Sequence, residues 1–303
     1  MMALQRRPHL LLTLVCSSVV LLLLLLNGAA AAGETGQLTV FWGRNKDEGS
    51  LQETCDAGLY TTVAISFFGV FGHGKYWTDL SGHPVARVGA DIKHCQSKGI
   101  LVLISIGGEG DQYSLPSAKS ALDVADHLWN GYLGGGGRGV FRPFGDAVLD
   151  GVDFYVNHGG WEHYDELARR LQSFVRRGGK AVYLTASPVC SLALKDDERT
   201  MRKLEVFERL HVRFYNESSC DYNYFETRPF WGAWVTWSSR FPKARVYVGW
   251  PASEETSGFV DPQTIRQSVR WSVQDVANYG GVMIWERYHD KMTGFGRAIK
   301  DIV

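Results

Sequence analysis

The chain has 303 residues, 45% of them hydrophobic and 21% charged, with 32 basic side chains against 32 acidic ones. A balanced charge excludes the electrostatic footprint of a nucleic-acid binder, and that hydrophobic content excludes a disordered chain. The length exceeds a minimal domain and fits one α/β barrel of roughly 250 residues with a short leader.

The leader comes first. Arg6 and Arg7 precede an apolar run from Leu10 to Leu26, which Ala29, Ala30, Ala31 and Ala32 follow. A basic start, an apolar middle and small residues at the end mark residues 1–32 as a secretory signal cleaved near Ala32, so the mature chain 33–303 is expected outside the cell. An uncleaved membrane anchor is the competing reading of the run, and Cys16 falls inside it. Without Arg6 and Arg7 the balance becomes 30 basic to 32 acidic residues, again no sign of nucleic acid.

Eight apolar, β-branched runs follow: Leu38 to Trp42, Thr62 to Phe68, Ile100 to Ile106, Leu149 to Val156, Ala181 to Ala186, Leu210 to Tyr215, Val246 to Trp250 and Val282 to Trp285. Each is succeeded by a polar loop and usually a helix-period segment, and within this length that alternation predicts one closed (β/α)8 barrel rather than an open doubly wound sheet. The segment after the fourth run places Tyr164, Leu167, Ala168, Leu171, Phe174 and Val175 on one face of a helix over 161–177. Its acids Glu162, Asp165 and Glu166 come early and Arg176 and Arg177 late, as the helix dipole prefers. Gly134 to Gly137 reads as a loop, not a linker.

The fourth run carries the chemistry-bearing pattern. Leu149, Val152, Phe154 and Val156 interleave with Asp150, Gly151, Asp153, Tyr155 and Asn157, as in a buried parallel strand that delivers polar side chains to its C-terminal end.

Four cysteines remain in 33–303, and an exported chain pairs them. Of three connectivities, adjacency in the barrel selects Cys55–Cys95, on the helices after runs one and two, and Cys190–Cys220, after runs five and six. Each closes a loop of roughly 30 to 40 residues, worth roughly 3–4 kcal/mol in the loop-entropy model. Zinc is the other use of cysteines, but no CxxC spacing supports it, and no metal or cofactor is expected. Asn216-Glu217-Ser218 is a glycosylation sequon on the loop after run six.

Asp150-Gly151-Val152-Asp153-Phe154-Tyr155-Val156-Asn157 resembles the D-G-x-D-x-D-x-E signature of glycoside hydrolase family 18, the class III chitinases of plants. Val40-Phe41-Trp42-Gly43-Arg44-Asn45, Ser105-Ile106-Gly107-Gly108, Tyr183 to Pro188 and Gly281 to Trp285 match other strands of that family, so the resemblance covers essentially 33–303. It implies that the last signature position is the proton donor and the one two residues earlier positions the substrate acetamide, which attacks the anomeric carbon itself. Here these positions are Asn157 and Tyr155. An amide cannot protonate a leaving oxygen and a phenol cannot support an oxazolinium cation, so the expectation is a chitinase scaffold that is not an enzyme. The resemblance also assigns Tyr215 to the acetamide and Trp285 to the floor of a sugar subsite, a vestigial site unless both serve only packing. Glu109 and Asp111, after run three, are read as loop-solvating acids rather than substitutes.

A closer resemblance is to the plant xylanase inhibitor proteins. It rests on Thr39 to Lys46, Asp91 to Gly99, Ser114 to Ser117, Arg142 to Ala147, His211-Val212-Arg213 and Arg287-Tyr288. It implies a monomeric, secreted inhibitor of microbial endo-xylanases in the apoplast, acting in plant defence by protein–protein contact. In that family the loop after the fourth helix sets an Arg between the two carboxylates of a family 11 xylanase. Here the loop is Arg176-Arg177-Gly178-Gly179-Lys180, shorter than usual, and helix-end complementation is the competing use of its cations. Family 10 xylanases would meet Glu254 and Glu255, which repel a carboxylate-lined cleft unless they are ordinary helix-start acids. Three classes stay open: xylanase inhibitor, inert chitin-type sugar-binding or storage relative, and weak chitinase.

Overall fold

The structure, a computed structural model, describes residues 36–175, 180–195 and 197–303. The expected signal segment, with Cys16, and the loop residues Arg176 and Arg177 lie outside the described residues. Among the described residues nine strands form: β1 Gln37–Trp42, β2 Thr62–Val70, β3 Trp77–Thr78, β4 Leu101–Gly107, β5 Gly151–Tyr155, β6 Tyr183–Ala186, β7 Arg209–Arg213, β8 Arg245–Pro251 and β9 Tyr279–Trp285. Eight of them are parallel, in the order β1-β9-β8-β7-β6-β5-β4-β2, and the β1–β2 pairing closes the ring. This is the single (β/α)8 barrel expected from the alternation. The addition is β3, which folds back antiparallel on the outer edge of β2 through Phe68–Thr78 and Val70–Trp77 pairs.

The strands are almost continuously buried because helices cover one face and the packed barrel interior the other. The first four helices are α1 Leu51–Asp56, α2 Val85–Ser97, α3 Ala118–Gly131 and α4 Tyr164–Val175. Helix α3 buries Ala121, Val124, Ala125 and Leu128, a single stripe at helical spacing, and starts where Ser117 accepts the Ser120 N–H. In α4 the buried residues are Tyr164, Leu167, Ala168 and Leu171, while Phe174 stacks at 4.7 Å on Trp129 of α3. Its first turn begins three residues later than the periodicity suggests, since Trp161 is buried outside the helix against Tyr164 and Phe207.

Both disulfides form as adjacency predicts. Cys55 on α1 bonds Cys95 on α2 across 40 residues, with a Cα separation of 5.4 Å. Cys190 bonds Cys220 across 30 residues, tying the loops after β6 and β7. Gly151, inside the signature, is required by close approach: a Cβ there would sit 2.0 Å from the Tyr183 carbonyl oxygen of β6.

Candidate functional site

β5 carries its polar residues to different heights in the barrel, and each height has its own chemistry. At the bottom, just before the strand, Asp150 is buried and accepts from the Val102 N–H at 2.8 Å and Gln96 Nε2 at 2.9 Å. Its other oxygen pairs with Lys180 Nζ at 2.5 Å. The ammonium expected to help block a xylanase is thus tied down at the base of its loop.

One turn of the pleat higher, Asp153 is fully buried among donors from three neighbouring strands. Ser105 of β4 and Thr185 of β6 donate at 2.8 and 2.6 Å, and Ser187 at 3.0 Å. His211 Nδ1 of β7 lies at 3.4 Å, with Thr39 of β1 against its Nε2 at 3.3 Å. Burial pushes the Asp153 carboxyl up, but the hydrogen bonds from His211, Thr185 and Ser105 outweigh it and hold it below its ordinary value. Burial lowers His211 despite the pull of Asp153. The pair is therefore a carboxylate and a neutral imidazole, with Nδ1–H donating and Nε2 accepting from Thr39.

At the mouth the arrangement changes. Tyr155 has no exposed surface and is ringed by Phe41 at 5.6 Å, Phe67 at 5.0 Å and Trp285 at 5.4 Å. Tyr215 is also buried, its ring stacked 18° from that of Trp285, and Met283 fills the remaining space. Burial raises both phenols, so neither ionises at neutral pH. Tyr215 and Trp285 are thus brought together as the sugar-site resemblance implies, but inside an aromatic plug of which only Trp285 is partly exposed.

Arg213, at the end of β7, is the residue to which the sequence reading gave no role. Its guanidinium is buried, stands 4.0 Å over the Tyr155 ring, donates to the Ser187 carbonyl at 2.9 Å and donates to the Asn157 carboxamide oxygen at 3.0 Å. A cation ending an apolar strand was the available signal. A family 18 reaction passes through a cationic oxazolinium, and unit charges about 4 Å apart at an effective dielectric near 20 interact by roughly 4 kcal/mol. The Arg213 guanidinium over Tyr155 has the same sign of charge as such a cation, and Asn157 offers no proton.

Beside the plug a groove of about 310 Å³ remains, lined among others by Arg44, Trp77, Asp79, Glu109 and Asp111. Glu109 accepts from the Tyr155 hydroxyl at 3.2 Å, and Arg44 pairs with Asp79 at 3.3 Å. Glu254 and Glu255 are exposed in a turn after β8, well before the helical segment that Asp261 caps, so they are not helix-start acids. Asn216 is exposed on the rim at a positive φ of 53°, its side chain open to solvent next to buried Tyr215. Among the described residues no group of three or more His, Cys, Asp or Glu is placed to hold a metal ion.

Comparison with known proteins agrees with this geometry. The glycosyl hydrolases family 18 profile matches residues 37–247. Xylanase inhibitor protein 1 of Oryza sativa subsp. japonica is 51% identical over 276 residues, covering 89% of this chain and 90% of that protein. Xylanase inhibitor protein 1 of Triticum aestivum is 48% identical over 301 residues and 97% of each chain. Among solved structures, the xylanase and α-amylase inhibitor protein of Scadoxus multiflorus superposes with a TM-score of 0.82 at 37% identity, covering 88% of this chain and 98% of that one.

Proposed function

The chain belongs to glycosyl hydrolases family 18, and within it we propose a secreted, catalytically silent member that inhibits microbial endo-1,4-β-xylanases by protein–protein contact. The similarity to named xylanase inhibitors supports the inhibitory half of this reading. One observation carries the silent half: Asn157 stands at the proton-donor position and is held by the buried Arg213 guanidinium above an aromatic plug. In this reading residues 1–32 are removed on export, the mature chain is a monomer, and Asn216 carries a glycan that further hinders polysaccharide entry.

The inhibitory element is the loop 176–180, with Arg177 as the inserted cation and family 11 xylanases as the preferred target. A guanidinium between two desolvated carboxylates forms a strong, directional pair. Lys180, tied to Asp150, contributes to the loop's stem and little to contact. Glu254 and Glu255 disfavour family 10 enzymes. Titrating a family 11 xylanase with the purified protein tests the function. Arg177→Ala is expected to weaken inhibition by about 2–5 kcal/mol with little change in folding. Insertion gives one dominant loss that persists at high salt, whereas long-range steering gives small losses at Arg176 and Arg177 that vanish with salt. A parent protein without inhibition overturns the reading.

A second reading, a non-catalytic sugar binder, is favoured by one observation, the groove that keeps exposed Trp77 beside Arg44, Asp79 and Glu109. Calorimetric binding of chitin-type oligosaccharides together with no xylanase inhibition would select it.

A further inference from the structure

On the outer side of the barrel, between α2 and α3, lies a cleft of about 440 Å³ that is separate from the plugged mouth. Its volume falls within the about 300–1,000 Å³ typical of small-molecule sites. The lining is rich in rings: Tyr76, Trp77, His127, Tyr132 and Phe141, with Pro143 beside them. Tyr76 and His127 stack at 3.8 Å with planes 14° apart, and Phe68 continues the stack behind them.

Two features mark the cleft as built to stay open. Trp77 is 66% exposed and Phe141 77% exposed, both held on fixed backbone. Trp77 is fixed by the β2–β3 pairing. Phe141 is fixed by its neighbour Arg142, which donates to the carbonyls of Asn130, Leu133, Gly145 and Ala147 at 2.6 to 3.1 Å. Both rings line the cleft with most of their apolar surface in water, area that a guest of matching shape would cover.

The polar atoms are few and specific. Thr78 Oγ1 and the Tyr132 hydroxyl bond each other at 2.6 Å, which uses one of their two O–H groups and leaves the pair one donor for a guest. His127 is half-buried, and its ring nitrogens make no hydrogen bond to any described residue. Burial holds His127 below the usual histidine range, so at neutral pH it offers one N–H and one acceptor nitrogen. A sugar, with hydroxyls around its ring, would leave most of them unpaired here. A flat ring with a single polar substituent leaves none.

We propose that this lateral cleft is a binding site for a planar aromatic small molecule of one or two fused rings, which slots between Trp77 and Phe141 and hydrogen-bonds His127 through a hydroxyl. The site does not depend on xylanase inhibition. Trp77 is one of ten tryptophans, so its share of the fluorescence change on occupancy is read as the difference between the parent and Trp77→Ala.

The test is titration of the full-length mature protein with 2-naphthol, followed by calorimetry and tryptophan fluorescence, with 2-methylnaphthalene as the comparison lacking the hydroxyl. The expected result is saturable binding at one site. Trp77→Ala and Phe141→Ala should each weaken it about tenfold or more, and loss of the hydroxyl should weaken it measurably. Phe225→Ala, which removes a 99% exposed ring elsewhere, should leave it unchanged. Both wall residues are exposed, so the variants are expected to keep the parent's melting temperature. No saturable binding up to the solubility limit overturns the proposal, as does equal weakening by all three substitutions, which would mark non-specific adsorption. Binding by the parent that neither wall variant changes places the guest elsewhere and also overturns it.

Discussion

At the level of Asp153 the carboxylate of the family signature persists inside a cage of Ser105, Thr185, Ser187 and His211, each contributed by a neighbouring strand or its end. Further along the same chain segment, at Tyr155 and Asn157, the carboxylates of the signature are gone, replaced by a phenol and an amide gathered around Arg213. The deeper anion cannot be lost singly, because its removal strands several buried donors at once. The upper positions open toward the mouth, where aromatic packing and one guanidinium stand in place of the carboxylates, with only the Tyr215 hydroxyl and Arg213 Nη2 of this group left buried without a hydrogen-bond partner among the described residues. The motif therefore joins a structural half and a chemical half, and only the first is protected by the fold.

Asp153→Ala puts this contrast to its most severe test. It should cost about 3 kcal/mol or more, since several buried donors lose their acceptor at about 1–3 kcal/mol each, read as a shift in denaturant midpoint. A loss below about 1 kcal/mol would mean that the cage is dispensable. The converse experiment rebuilds the upper level. Asn157→Glu with Tyr155→Asp should leave chitin-oligomer hydrolysis at background, since Arg213, which already reaches the side chain at position 157, would pair with the introduced carboxylate and hold it ionised. Adding Arg213→Met frees the acid and should raise turnover, within the roughly 10²- to 10⁴-fold that general acid catalysis supplies. Robust hydrolysis by the unsubstituted protein would sink the silent reading altogether.

A smaller effect is carried by pH. His211 has its pKa lowered in the folded chain, so below about 6.5 the unfolded state binds the proton first and stability falls as pH drops through that window. Asp153, also lowered, adds a further loss only below about pH 4, where the unfolded carboxyl protonates ahead of the folded one. Unfolding curves at pH 7 and pH 5 should therefore diverge more for the parent than for His211→Gln, and parallel shifts would remove His211 from the account. Least of all, Lys180→Ala should lower stability by about 1 kcal/mol or less, because the ammonium of its ion pair is half exposed. It should hardly change xylanase inhibition, and a large loss there would return Lys180 to the interface.

The barrel was legible because period and alternation of apolar runs are local signals, and both disulfides followed once the helices had neighbours. Strand β3 was not, since two residues pairing by backbone on an outer edge leave no periodic trace. In the site, Asn157 and Tyr155 stood out directly as an amide and a phenol where the family signature carries carboxylates, while Arg213 sat within a quoted match without a role. Its meaning lies in the 56-residue separation from Asn157, a contact made only when β5 and β7 share a barrel mouth. Tyr215 and Trp285 were found as a pair, but their burial depends on Phe41, Phe67 and Met283, three residues indistinguishable in sequence from any apolar core.

The Lys180–Asp150 ion pair has an engineering consequence. On the other side of the loop, Phe174 is clamped between the Trp129 ring and the Arg170 guanidinium. The described residues that flank 176–179 are thus each tied to the scaffold, Phe174 by stacking and Lys180 by its ion pair. For the loop proposed as the inhibitory element, inserts of other length or charge grafted between residues 175 and 180 are expected to change the target while Phe174 and Lys180 keep their anchors.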